Sequence, residues 1–133
     1  MTVGTIRRVI VPMCPPEELN PNSRVHWRPY RRASGALRTA AKYAALEHGG
    51  TDPIVGRVDV SIRVCWPKRR RVLDADNALA SCKAALDGLT DAGVWQDDRQ
   101  MRRVSVEQEK LDKAGNAMYP GGAIVVDIEE VSR

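Results

Sequence analysis

Val55-Gly-Arg-Val-Asp-Val-Ser-Ile-Arg-Val-Cys-Trp66 alternates apolar and polar side chains almost without a break. In an extended chain Val58, Val60, Ile62, Val64 and Trp66 fall on one side, and Arg57, Asp59, Ser61, Arg63 and Cys65 fall on the other. That alternation predicts a strand in a sheet buried on one face only. Pro67 ends the strand, because it offers no N–H to a ladder.

The flanking sequence extends the pattern. Residues 5–11 form a short apolar run stopped by Pro12, which predicts another strand. Pro15, Pro16, Asn20, Pro21 and Asn22 punctuate a loop. Residues 31–48 predict a helix with Leu37, Ala40, Ala41, Ala44 and Ala45 on its apolar side, stopped by Gly49-Gly50. Arg31, Arg38 and Lys42 share another face of it, which suits either solvent or phosphate. A second helix is expected over residues 75–89, with Leu79, Cys82, Leu86 and Leu89 as its stripe and Gly88 and Gly93 marking its exit. Strands are expected over residues 101–110 and 123–131, separated by a turn-rich loop over residues 112–122. The sum is a single domain over residues 1–133 of the α+β class: a small mixed sheet of about four strands, two main helices on one face.

Composition narrows the chemistry. Hydrophobic residues make up 43% and charged residues 29%, as expected of a globular chain, and no apolar run is long enough to span a membrane. Cys14, Cys65 and Cys82 have neither metal spacing nor an even count, which fits reduced thiols in the cytoplasm. The net charge is +4, unevenly spread: residues 1–73 hold 14 Lys and Arg against 5 Asp and Glu, and residues 74–133 hold 7 against 12. A basic chain favours an anionic partner, nucleic acid above all.

Within that basic chain, Asp74, Asp76, Asp87, Asp91, Asp97 and Asp98 crowd into 25 residues with Lys83 as the one base among them. On a continuous helix, at 100° per residue, Asp76, Lys83 and Asp87 share one stripe. Asp74 lies at the loop-to-helix junction, and Asp97-Asp98 arrives on a separate segment. Two segments thus offer carboxylates to a common point, where Mg²⁺ would generate a nucleophilic water and offset phosphate charge. The same residues also fit plain structure: Asp74 or Asp76 as a helix cap, Asp97-Asp98 as a turn pair, Lys83 and Asp87 as a surface ion pair. Spacing alone leaves both readings open.

The set Asp74-Ala-Asp-Asn77, Lys83, Ala84-Ala-Leu-Asp-Gly-Leu89 and Val94-Trp-Gln-Asp-Asp98 resembles the RusA family of Holliday-junction resolvases, phage- or prophage-type members included. Asn20-Pro-Asn-Ser-Arg-Val-His-Trp27 is similar to that family's N-terminal substrate-binding loop. The resemblance implies Asp74, Asp76 and Asp98 as metal-binding catalytic carboxylates, with Asp97 as the alternate, and Lys83 as the essential base. Lys83 departs from the family spacing, standing six residues after Asn77 where about three is usual. The resemblance further implies a homodimer that uses Mg²⁺, with Mn²⁺ able to substitute, and resolves four-way DNA junctions by paired nicks in recombination and repair. Lys68, Arg69, Arg70 and Arg71, with Asn22, Arg24, His26, Trp27 and Arg31, would then contact DNA. Trp27, Tyr30 and Trp95 are candidates for base stacking, although Trp66 and Trp95 also suit a core. His48 reads as structural. The alternative is a non-catalytic DNA-binding module whose aspartates are caps and turns.

Overall fold

The structure is a computed structural model that describes residues 6–48 and 52–131. Thr5 and the expected helix stop Gly49-Gly50 lie outside the described residues. Four strands, β1 (Ile6–Val11), β2 (Val58–Trp66), β3 (Met101–Lys110) and β4 (Ala123–Glu130), form one mixed sheet in the order β1-β4-β2-β3. β4 runs antiparallel to both β1 and β2, and β3 runs parallel to β2. The alternation in β2 sets this architecture: Val58, Val60, Ile62, Val64 and Trp66 are fully buried and join Val9, Val11, Ile124, Val126 and Ile128 in one core. Burying each such side chain stabilises the fold by about 1.5–3 kcal/mol. Cys65 departs from the pattern, being buried on the outer face with its thiol donating to Glu109 (3.4 Å).

The outer face carries ion pairs in place of helices: Arg8 with Asp127 (2.7 Å), Arg102 with Asp59 (2.7 Å) and Arg63 with Glu107 (3.1 Å). Hydrogen bonds from Arg8 and Arg102 hold the Asp127 and Asp59 carboxyls below their usual range. A carboxyl held low in the folded state stabilises above its unfolded pKa of about 3.9, and that contribution is lost as pH falls through the folded value. Asp127→Asn should therefore lose less stability than the parent between about pH 5 and pH 2, as read from urea midpoints. The partial exposure of the pair keeps the effect to about 1 kcal/mol or less.

The helices cover the buried face. α1 (Trp27–Glu47) turns Ala33, Leu37, Ala41, Ala44 and Ala45 inward. It starts four residues before the expected Arg31, because His26 caps it and Pro29 sits in the first turn, where an N–H would have no intrahelical acceptor. His48 closes its far end.

The expected single helix over residues 75–89 is two helices, α2 (Ala75–Ser81) and α3 (Lys83–Asp91), broken at Cys82. Ser81 is buried, with its Oγ 2.8 Å from the Asn77 carbonyl and 3.3 Å from that of Leu19. Such back-bonding bends helices, and the Cys82 N–H turns to the Leu79 carbonyl three residues back. Gly88 lies inside α3 and does not mark the exit; Gly93, at φ 81°, does. The expected loop over residues 112–122 contains a short helix, α4 (Lys113–Met118), capped by the Asp112 side chain accepting the Gly115 N–H at 2.7 Å. Among the described residues no helix is long and apolar enough to cross a membrane.

Candidate active site

The segment bearing Asp74 is pinned by β3. Lys110 Nζ donates to the carbonyls of Pro67 (3.2 Å), Lys68 (2.7 Å) and Arg70, folding the basic loop over the end of β2. Gln108 accepts the Leu73 N–H (3.0 Å) and donates to the Leu73 carbonyl (2.7 Å). Its Oε1 also accepts the indole N–H of buried Trp66 (2.8 Å). Both peptide groups that flank Leu73, the residue before Asp74, are thereby fixed. Asp74 is the N-cap residue of α2 by position, and its carbonyl accepts the Ala78 N–H (2.9 Å), yet its carboxylate makes no capping bond. Asp76 is exposed in the first turn. The capping alternative therefore does not occupy the Asp74 carboxylate.

The second acidic segment follows α3. Val94 and Trp95 are buried and anchor it in the core, so Trp95, like Trp66, is no stacking platform. Asp97 and Asp98, adjacent in sequence, have different partners. Asp97 accepts the Arg99 N–H (2.8 Å) and pairs with the Arg99 guanidinium (3.1 Å), and these bonds hold its carboxyl low. Gln100 completes a reciprocal cap by accepting the Asp97 N–H (3.0 Å) while donating to the carbonyls of Ile54 (2.7 Å) and Gly56 (3.0 Å). Asp98 takes no part in this; its carboxylate accepts a hydrogen bond from Thr90 Oγ1 (2.6 Å).

Lys83 does not share a continuous helix with Asp76, because the break at Cys82 resets the rotation between them. Its Nζ pairs with Asp87 (3.2 Å) and is largely exposed, a surface pair worth only a few tenths of a kcal/mol. The two border a cavity of about 190 Å³ with Tyr30, Ser34 and Ser81. Asp91 is held by a two-bond pair with Arg38 (2.6 and 2.9 Å), so this member of the Arg31, Arg38 and Lys42 face is committed to the fold.

Of the six carboxylates, Asp87, Asp91 and Asp97 each face a cation. Among the described residues Asp74, Asp76 and Asp98 form no ion pair. Free carboxylate oxygens are the donor set that Mg²⁺ and Mn²⁺ prefer. Among the described residues no three His, Cys, Asp or Glu side chains stand close enough to hold a metal ion. The cysteines bring no competing chemistry: burial pushes the Cys82 thiol up to about 12 and the Cys65 thiol up to about 11, so both stay protonated near neutral pH.

The basic residues divide in the same way. Arg70 stacks over Trp66 (5.0 Å), donates to the Pro15 carbonyl (3.2 Å) and approaches Glu17 (3.7 Å), which ties the loop to the N-terminal segment. Lys68, Arg69 and Arg71 are exposed. Asn20, Asn22 and Ser23 line a cavity of about 410 Å³ with Glu17, Arg69, Arg70, Arg71 and Leu73. His26 caps α1 through Nδ1, which accepts the Arg28 N–H at 3.3 Å. Trp27 is more than half exposed, with Arg28 and Arg31 over its ring at 5.4 and 5.8 Å. Arg24 and Tyr30 are exposed.

These segments fall inside a match to the family model described as endodeoxyribonuclease RusA, which spans residues 21–128. The chain belongs to the RusA endodeoxyribonuclease family. An uncharacterized protein of Xylella fastidiosa (strain Temecula1) is 34% identical to it over 110 residues, covering 78% of this chain and 69% of the relative. RusA membership brings the class of activity with it, endonucleolytic cleavage of DNA. Sequence reasoning missed Gln108, Lys110 and Thr90, which hold this RusA chain's acidic and basic segments in place. Gln108 and Lys110 act on residues at least 35 positions away, a separation at which spacing carries no signal. Thr90 lies five residues from the Trp95 that binds it, within reach of a local motif.

Proposed function

We propose that this RusA-family chain is a metal-dependent, structure-selective endodeoxyribonuclease that resolves four-way DNA junctions by paired nicks in recombination and repair. The observation that carries the reading is the division of the acidic segment: the carboxylates singled out by the family motif, Asp74, Asp76 and Asp98, are those without a cationic partner among the described residues. Carboxylates without a cationic partner are the groups that would take a divalent cation. Mg²⁺ or Mn²⁺, when bound, lowers the pKa of water and neutralises phosphate charge.

The chain's own groups do the rest. Asp74, Asp76 and Asp98 hold the cation, and Asp97, spent on its cap, does not. Lys83, on a long exposed side chain, brings positive charge toward the scissile phosphate, and its bond to Asp87 is weak enough to exchange. Lys68, Arg69 and Arg71 grip phosphates beside the cut, with Asn22, Arg24, His26, Trp27 and Arg31 extending the contact along the strand. A two-fold dimer would present two such sites to opposed strands.

A labelled four-way junction and a matched linear duplex test the reading. Opposed nicks in the junction are expected with Mg²⁺ and none with chelator; an intact junction under both conditions, or chelator-resistant nicks, would overturn it. The rival, a non-catalytic DNA-binding module, is favoured by the lack of a gathered metal cluster among the described residues, by the cap that Asp97 forms and by the surface pair of Lys83 with Asp87. Metal-dependent strand cleavage separates the two.

The interface has its own test. Replacing Lys68, Arg69 and Arg71 with Ala, and leaving Arg70 to hold the loop, should reduce the slope of log affinity against log salt by about 0.9 for each phosphate no longer neutralised. An unchanged slope removes the loop from the interface.

A further inference from the structure

We propose that Thr90, itself held by Trp95, is a positioning residue that sets the carboxylate of Asp98 for the cation, an inference that rests on the carboxylate reading above. Thr90 Oγ1 has three polar neighbours: Trp95 Nε1 at 2.7 Å, Asp98 Oδ1 at 2.6 Å and the Leu86 carbonyl at 3.2 Å. An indole N–H only donates, so Thr90 accepts from Trp95. The hydroxyl has a single proton to give. The charged oxygen at 2.6 Å wins it over the neutral carbonyl at 3.2 Å, because bonds to a carboxylate are both shorter and stronger. The proton therefore points at Asp98.

The chain is rigid from its buried end outward. Trp95 is 1% exposed, so its indole has no room to swing. Thr90 is β-branched on α3, which restricts χ1. Asp98, by contrast, is exposed at the start of a 3₁₀ turn, and nothing else described fixes its side chain. Without the Thr90 bond, the exposed Asp98 carboxylate is free to rotate in solvent. With it, Oδ1 is engaged by a neutral donor, while Oδ2 keeps its lone pairs for a metal ion.

Mn²⁺ titration of the metal-free full chain, well below its melting temperature, is the test. Thr90→Val keeps the shape and removes the hydroxyl. Its Mn²⁺ affinity should fall about 10- to 100-fold, the usual effect of losing a bond that orients a ligand. Thr90→Ser should restore the affinity to within about threefold. In an Asp98→Asn background, Thr90→Val should cause no further loss, which a general packing defect would not reproduce. If Thr90→Val binds Mn²⁺ like the parent while Asp98→Asn has lost it, the positioning role fails and the carboxylate reading stands. Thr90→Ser as weak as Thr90→Val overturns the role too, since methyl packing would then be what matters. If Asp98→Asn itself binds like the parent, both fall.

Discussion

Asp76→Asn is expected to abolish junction cleavage and leave junction binding intact. Asp76 is exposed at the first turn of α2 and has no ion-pair partner among the described residues. The isosteric amide therefore removes a charge without opening a cavity or breaking a bond, and stability should move by no more than about 0.5 kcal/mol. On the proposed reading the change removes a metal ligand, which would cost the cation its anchoring and the transition state its counter-charge. A fall of at least about 10³-fold in cleavage rate, about 4 kcal/mol in barrier, is the expected size. Binding should hold or tighten slightly, because one negative charge beside the phosphates is gone. Cleavage kinetics, a gel-shift titration and a thermal melt on the same sample check the three parts. A folded variant that no longer binds the junction would make Asp76 a structural residue.

Gly88→Ala should destabilise the protein severely, against the intrinsic preference of a helix. In an exposed helix the change stabilises by about 1 kcal/mol. Here a Cβ on Gly88 would stand 2.3 Å from the Arg38 carbonyl oxygen, 2.8 Å from Ala41 Cβ and 3.0 Å from the Lys42 nitrogen. Two of those three atoms are α1 backbone, which cannot rotate away as a side chain can. The helices must part, loosening Leu37, Ala41 and Ala44 and straining the Arg38–Asp91 pair. We expect a loss of about 3 kcal/mol, a fall on the order of 10 °C in melting temperature. A variant as stable as the parent would show that the packing of α1 on α3 yields at no cost.

The legibility of this chain followed the range of the forces involved. The alternation along β2, the full extent of β3 and the inward face of α1 could be read from neighbouring residues, because two- and four-residue periodicities are local consequences of burial. α4 was legible in principle from Asp112, whose cap is local, but six residues give too short a period to register. The break at Cys82 was only partly legible: the Ser81 bond to the Asn77 carbonyl is local, but the burial of Ser81 against the Leu19 carbonyl, 62 positions away, is not. The sheet order was equally hidden, because β2 pairs with β3 and β4 through backbone groups that every residue shares.

The candidate site divides along the same line. Residue types and spacing showed a cluster of acids behind a basic run, because that is a property of composition, and the resemblance to a known family singled out Asp74, Asp76 and Asp98 within it. Which acids are left unpaired was decided by the fold. Arg38 crosses from α1 to take Asp91, Arg99 and Gln100 absorb Asp97, and Arg70 turns inward over Trp66 while Lys68 and Arg71 stay in solvent. A charge finds its partner through space, and the distances that set those choices exist only once the helices have packed against the sheet.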